Sequence, residues 1–270
     1  MSRPPAAAGR FYEADPVQLR KTVLELLPAG RKKAKTKTAA KLLIVPHAGY
    51  VYSGWVAGTV FASAKIPETV VLLGPNHHGL GAPLAVSTED WETPLGQVPL
   101  AAELAAALAN NSILFTADDL AHQHEHSLEV QLPFLQILQP KLRIVPVCVS
   151  RLPLPQCRLA GVELARALRN FAQPVLLVAS TDMSHYEPRH QASEKDQLAL
   201  GDILSLDPAG LHRTVLTKRI SMCGVIPVLI ALFAALELGA EQADLLCCTD
   251  SGYVSGDVER VVSYAGLTVR

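Results

Sequence analysis

Three short apolar runs in this chain end in the same way. Leu42-Leu43-Ile44-Val45 stops at Pro46-His47-Ala48-Gly49-Tyr50, and Val70-Val71-Leu72-Leu73 stops at Gly74-Pro75-Asn76-His77-His78-Gly79. Val175-Leu176-Leu177-Val178 runs on to Ser180-Thr181-Asp182-Met183-Ser184-His185. A continuous apolar run closed by Pro or Gly reads as a buried strand entering a loop. If the three strands are parallel neighbours, their loops open at the carboxyl edge of an α/β sheet, where such sheets bind ligands. Three histidines gathered there make a metal site or an acid/base site.

The other elements fit that frame. Asp15-Pro16 followed by Leu19, Val23, Leu26 and Leu27 predicts a helix capped by Asp with Pro at its first position. The basic run 31–37 reads as a solvated connection. Helices are predicted from Ser53-Gly54 onward, over 101–109, up to Leu138, over 159–171, over 198–216 with a break at Asp207-Pro208, and over 225–238. Strands are predicted over 143–149, 174–179, 245–248 and 261–266. Alternating strands and helices imply one α/β domain over 1–270, a three-layer α/β/α arrangement. The link to 84–87 is too short for a crossover, so the central sheet should be mixed.

Composition removes several functions. Twenty-five acidic residues against 24 basic ones give no basic field for nucleic acid. Five cysteines without a C-x-x-C pair suggest neither a disulfide framework nor a zinc ribbon. The N-terminal residues lack the apolar core of a signal peptide, and 225–238 is too short to span a bilayer. A reduced, cytoplasmic protein is expected, with no membrane or nucleic-acid partner.

Among the candidate site residues, His47 and His77 offer imidazole, the commonest neutral metal ligand, and Asp182 could orient His185 or act as a ligand itself. Cys223 precedes a helix, a place that favours a thiolate, and beside histidines it would suit Fe(II), Cu(I) or Zn(II). His122-Gln123-His124-Glu125-His126 lacks the second histidine of H-E-x-x-H, so it is not that zinc-protease signature. Alternation along an extended segment would put His122, His124 and His126 on one side. His126 and Glu129 are the better site candidates of that stretch.

Taken together, Gly9-Arg10-Phe11-Tyr12, Pro46-His47-Ala48-Gly49-Tyr50, Gly74-Pro75-Asn76-His77-His78, Glu125-His126-Ser127-Leu128-Glu129, Ser180-Thr181-Asp182-Met183-Ser184-His185-Tyr186 and Cys223-Gly224 resemble, in order, the motifs of the Memo family. Its bacterial and archaeal members are called AmmeMemoRadiSam system protein B. Ser255-Gly256-Asp257 and Ser263-Tyr264-Ala265-Gly266 extend the resemblance almost to the end of the chain. The resemblance implies a fold like the class III extradiol dioxygenases, which are non-haem iron enzymes. It implies metal ligation by His47, His77 and Cys223, with His185 at the acid/base position and Asp182 nearby. Cys223 stands where those dioxygenases use a carboxylate, so their ring cleavage is not implied. A radical-SAM enzyme and an AMMECR-type protein are the implied companions.

The expected function is redox chemistry at Fe(II), with copper or zinc as the other candidate ions, on an unknown small molecule or peptide. His185, Asp182 and His126 would be its catalytic residues. A non-enzymatic module binding a peptide or protein in the same cleft, with Tyr50, Tyr52, Trp55 and Tyr186 at its rim, is the second reading. A cysteine hydrolase built on Cys223 and His185 is the third.

Overall fold

The computed structural model describes residues 2–28 and 39–270, so the basic run 31–37 lies outside the described residues. The chain begins with β1 (Ser2–Arg3), α1 (Pro16–Leu26), β2 (Leu42–Val45), α2 (Tyr50–Ser63), β3 (Thr69–Pro75), β4 (Leu84–Val86), β5 (Asp90–Thr93) and β6 (Gly96–Val98). It continues through α3 (Ala102–Asn110), β7 (Thr116–Ala117), α4 (Leu132–Leu138), β8 (Arg143–Val149), α5 (Leu154–Arg169), β9 (Val175–Ser180) and β10 (His185–Glu187). The last elements are α6 (Arg189–Leu204), α7 (Pro208–Thr217), α8 (Val225–Glu237), β11 (Ala243–Asp250), α9 (Gly252–Ser255) and β12 (Val261–Val269).

The main sheet has the order β10-β12-β2-β9-β3-β8-β4-β7, with β11 also paired to β12. Strands β2, β9, β3 and β8 run parallel, whereas β12 and β4 pair antiparallel to β2 and β8. The sheet is therefore mixed. The three histidine-bearing runs are neighbours because β9, the last of them in the chain, inserts between β2 and β3.

The pleat divides each strand between two cores. Leu42, Ile44, Val71, Leu73, Leu177 and Ala179 pack with Leu104 of α3, Leu164 of α5 and Leu229 of α8. Their neighbours Leu43, Val45, Val70, Leu72, Leu176 and Val178 pack on the other face with Leu19 of α1, Phe61 of α2 and Phe134 of α4. Burial on both faces is why these runs are uniformly apolar rather than alternating. The result is an α/β fold with helices on both sides of the sheet.

Most elements lie where the pattern places them. Asp15 caps α1, its Oδ1 accepting from the Val17 and Gln18 amides at 3.0 and 2.8 Å. Helix α2 starts at Tyr50, before the predicted Ser53-Gly54, because the Tyr50 amide donates to Phe11 O at 2.8 Å. That bond ties the N-terminal segment to the loop carrying His47. The short sheet β1-β5-β6 was not foreseen, since two- to four-residue strands carry little periodicity. No helix among the described residues is long and apolar enough to cross a membrane.

Candidate metal centre

His47 follows β2 directly, and its fold environment dictates its tautomer. Its Nδ1 lies 2.8 Å from Ser180 Oγ at the end of β9. That hydroxyl spends its single proton on Ser127 O at 2.8 Å and accepts from Gln131 Nε2 at 3.1 Å. Nδ1 is therefore the donor in this network, which leaves a bare lone pair on Nε2. The His47 amide donates to Asp182 Oδ1 at 2.8 Å, fixing the backbone as well.

His77 follows β3 and is held in the same sense. Its Nδ1 donates to Glu125 Oε1 at 2.9 Å, and its amide donates to Glu125 Oε2 at 2.7 Å. A carboxylate can only accept, so His77 also presents Nε2. Glu125 takes the His126 and Ser127 amides too, at 2.9 and 2.8 Å. Burial opposes charge on this carboxyl, but the hydrogen bond and charge of His77 and the amides hold its pKa far below the usual carboxylate range. Burial also opposes charge on His77, and Glu125 overrides it, raising that pKa.

Cys223 completes the group from the loop before α8. Its Sγ lies 3.3 Å from His47 Nε2 and accepts the Asp182 amide at 3.3 Å. One donor atom each from His47, His77 and Cys223 lie within 4.8 Å of one another. Burial pushes the thiol well above its usual range, with the Asp182 charge adding to the effect. The expected helix-terminal thiolate is thus overridden by desolvation, which also counts against a free nucleophile. Burial, reinforced by His77, lowers His47 to about 3, so its ring is neutral at pH 7. The pair is then a thiol facing a bare imidazole nitrogen, and ligation by a cation would displace the thiol proton.

The strand grammar fails for the third histidine. What β9 delivers at its end is Ser180 and Asp182; His185 opens β10, on the far side of β12 from β2. A register shift between His185 and Glu187, with Tyr186 at φ 58°, sets that backbone. His185 Nδ1 lies 2.7 Å from Met183 O, an acceptor, so its Nε2 is bare as well. Asp182, His185 and Cys223 form a second group within 4.8 Å, and His77, Glu125 and His126 a third. His126 stacks between Phe11 at 4.2 Å and His77 at 4.7 Å. Burial, then His47, lowers its pKa to about 4.

Other residues leave the site. The segment 120–122 is a 3-10 turn rather than extended, so His122 and His126 do not share a face. Glu129 accepts from Arg3, from the Ala6 and Ala7 amides and from Tyr12, which makes it a buried staple for the N-terminal segment. Tyr50 is buried, its hydroxyl on Val130 O at 2.7 Å, whereas Tyr52, Trp55 and Tyr186 are exposed. Sequence reasoning missed Ser180 and Gln131, and set Glu125 aside with the protease template. The order His-Glu-His was the signal for Glu125; nothing local signalled the other two.

His122 gives a separate prediction. It is buried against Trp91, its Nε2 lying 3.1 Å from Ala85 O. Burial and then Arg3 lower its pKa from 6.5 to about 4. Between those values the unfolded chain binds a proton that the folded one refuses, so stability falls as pH drops from about 6.5 to 4. The contribution is on the order of 3 kcal/mol. Denaturant unfolding across this range should show a shallower pH slope for His122→Gln than for the unaltered chain.

Comparisons with known proteins identify the family. The family model described as Memo-like protein matches residues 3–268. A MEMO1 family protein of Methanopyrus kandleri is 41% identical over 281 residues, covering 100% of this chain and 99% of the relative. One from Aquifex aeolicus is 39% identical over 267 residues, covering 98% of each. Among solved structures, uncharacterized protein JW3007 from Escherichia coli K12 superposes with a TM-score of 0.54 at 16% identity. That match covers 83% of this chain and 98% of the other, and it speaks to the fold alone.

Proposed function

The chain belongs to the Memo-like family, and on that premise we propose that it is a metal-binding protein whose His47, His77 and Cys223 hold Fe(II) or copper for redox chemistry. The observation carrying this reading is the convergence of one donor atom each from His47, His77 and Cys223 within 4.8 Å, each imidazole oriented by its own acceptor. Oriented second nitrogens are the usual support of metal-bound histidines. Imidazole with a thiolate is soft enough for Fe(II), Cu(I) or Zn(II), and the first two bring electron transfer.

The remaining residues would manage protons around the bound substrate. His185 Nε2 is the free basic atom, with Met183 O holding the ring in place. Asp182 is a carboxyl whose pKa burial raises, with the His47 amide opposing the shift, and it stands beside His185 to pass a proton. Neutral His126, braced by Phe11, would hydrogen-bond the substrate. The substrate class is a small molecule or peptide that reaches this cleft.

Anaerobic Co(II) loading tests the reading. A sulfur-to-cobalt charge-transfer band should form in the unaltered protein and be absent in Cys223→Ser. No band in the unaltered, reduced protein would refute it. Glu125→Gln should keep the band but weaken binding by about 10–100-fold, the usual cost of losing an outer partner.

Exposed Tyr52, Trp55 and Tyr186 favour a second reading, a peptide- or protein-binding module in which the metal is structural or cargo. A radical-SAM enzyme and an AMMECR-type protein are the partners to try, by co-elution. Binding retained in a His47→Ala/Cys223→Ala double variant would support this reading; complete loss would count against it.

A further inference from the structure

The donors in the cleft outnumber what one ion needs. Beyond His47, His77 and Cys223, the two other groups each share one residue with that set. They differ in what their atoms are free to do. In the group His77, Glu125 and His126, both carboxylate oxygens are already committed, Oε2 to the His77 amide and Oε1 to His77 Nδ1 and two further amides. Its shared residue is an imidazole, whose single free lone pair serves one ion. Such a set cannot add a second position without dismantling the support of the first.

The group Asp182, His185 and Cys223 has no such conflict. His185 offers Nε2 while Nδ1 stays on Met183 O. Asp182 is only 5% exposed, and its Oδ1 accepts the His47 amide. Among the described residues no donor pairs with its Oδ2, and no cationic side chain forms a salt bridge with it. That Oδ2 is not among the fully buried polar atoms without a partner, so it is open to the cleft and free to meet a cation. The shared residue is sulfur, which has lone pairs enough for two ions.

We propose that Cys223 bridges two cation positions, one completed by His47 and His77 and the other by Asp182 and His185. Thiolate bridging needs one proton released from the sulfur, on loading of the first ion, and no redox change. The proposal rests on the mononuclear reading above and adds a consequence to it. With one ion bound, Asp182 and His185 remain free to handle protons. With the second ion bound they become ligands, so rising metal availability would silence proton handling at this cleft.

Anaerobic Co(II) titration of the reduced full chain, followed by absorption and electron paramagnetic resonance, is the test. Two equivalents should bind in sequence, and the second should alter the spin signal of the first through the shared sulfur. His185→Ala and Asp182→Asn should each retain the first equivalent with its charge-transfer band and lose the second, which also shows that both variants are folded. A single equivalent in the unaltered chain would overturn the bridge and leave the mononuclear reading intact. A second equivalent that survives in both variants, or that leaves the first ion's signal unchanged, would place that ion elsewhere and also overturn it. No bound cobalt at all would sink both.

Discussion

Replacing His47 with alanine is expected to weaken transition-metal binding at least about 100-fold, because even loss of an outer partner of a metal-bound histidine costs 10–100-fold. The effect should be local. The amide that donates to Asp182 Oδ1 belongs to the backbone and survives the substitution. Ser180 keeps its bonds to Ser127 O and Gln131, so the floor of the cleft stays hydrogen-bonded. Competition against a chromophoric chelator measures the affinity, with circular dichroism as the control for folding. Affinity that falls by less than about tenfold would remove His47 from the ligand set.

The second large effect concerns stability. Arg3 and Glu129 pair at 2.6 Å with side chains 4% and 0% exposed. Glu129 also accepts from the Ala6 and Ala7 amides at 2.8 Å and the Tyr12 hydroxyl at 2.6 Å. Arg3 donates to His122 O and Glu125 O at 2.6 and 2.7 Å, and lies 4.1 Å over the Trp91 ring. Removing one partner strands the other in the interior, at a cost of about 3–5 kcal/mol. Glu129→Gln and Arg3→Met should each lower Tm by roughly 10 °C. The double variant should lose less than the sum, since the stranded charge is gone. Arg3 grips the backbone on both sides of the site loop, so metal affinity should fall along with stability. A Tm change of under about 2 °C would mean that the pair is not closed in solution.

The difference between these two cases tracks what a sequence can display. Leu42–Val45 and Thr69–Pro75 were legible because burial on both faces demands an unbroken apolar run, and the run ends where the loop begins. His47 and His77 stood out for their position just after such runs. The role of Ser180 was not legible, because it depends on β9 lying between β2 and β3, a pairing across more than 130 residues. Glu129 was a candidate alongside His126, yet its partners lie near the start of the chain. Burial reversed the expectation for Cys223, since a helix terminus alone says nothing about how dry the sulfur is. Local pattern gave the elements and the donors, while their protonation and their supports came from tertiary contacts.

Whether His47, His77 and Cys223 share an ion is most directly measured by elemental analysis and X-ray absorption on reduced protein purified without oxygen. The unaltered chain should hold at least one iron or copper with both nitrogen and sulfur in its coordination sphere, and Cys223→Ser should lose the ion or the sulfur signal. No transition metal in either protein after reconstitution, or a bound metal whose spectrum shows no sulfur, would contradict the His/Cys centre.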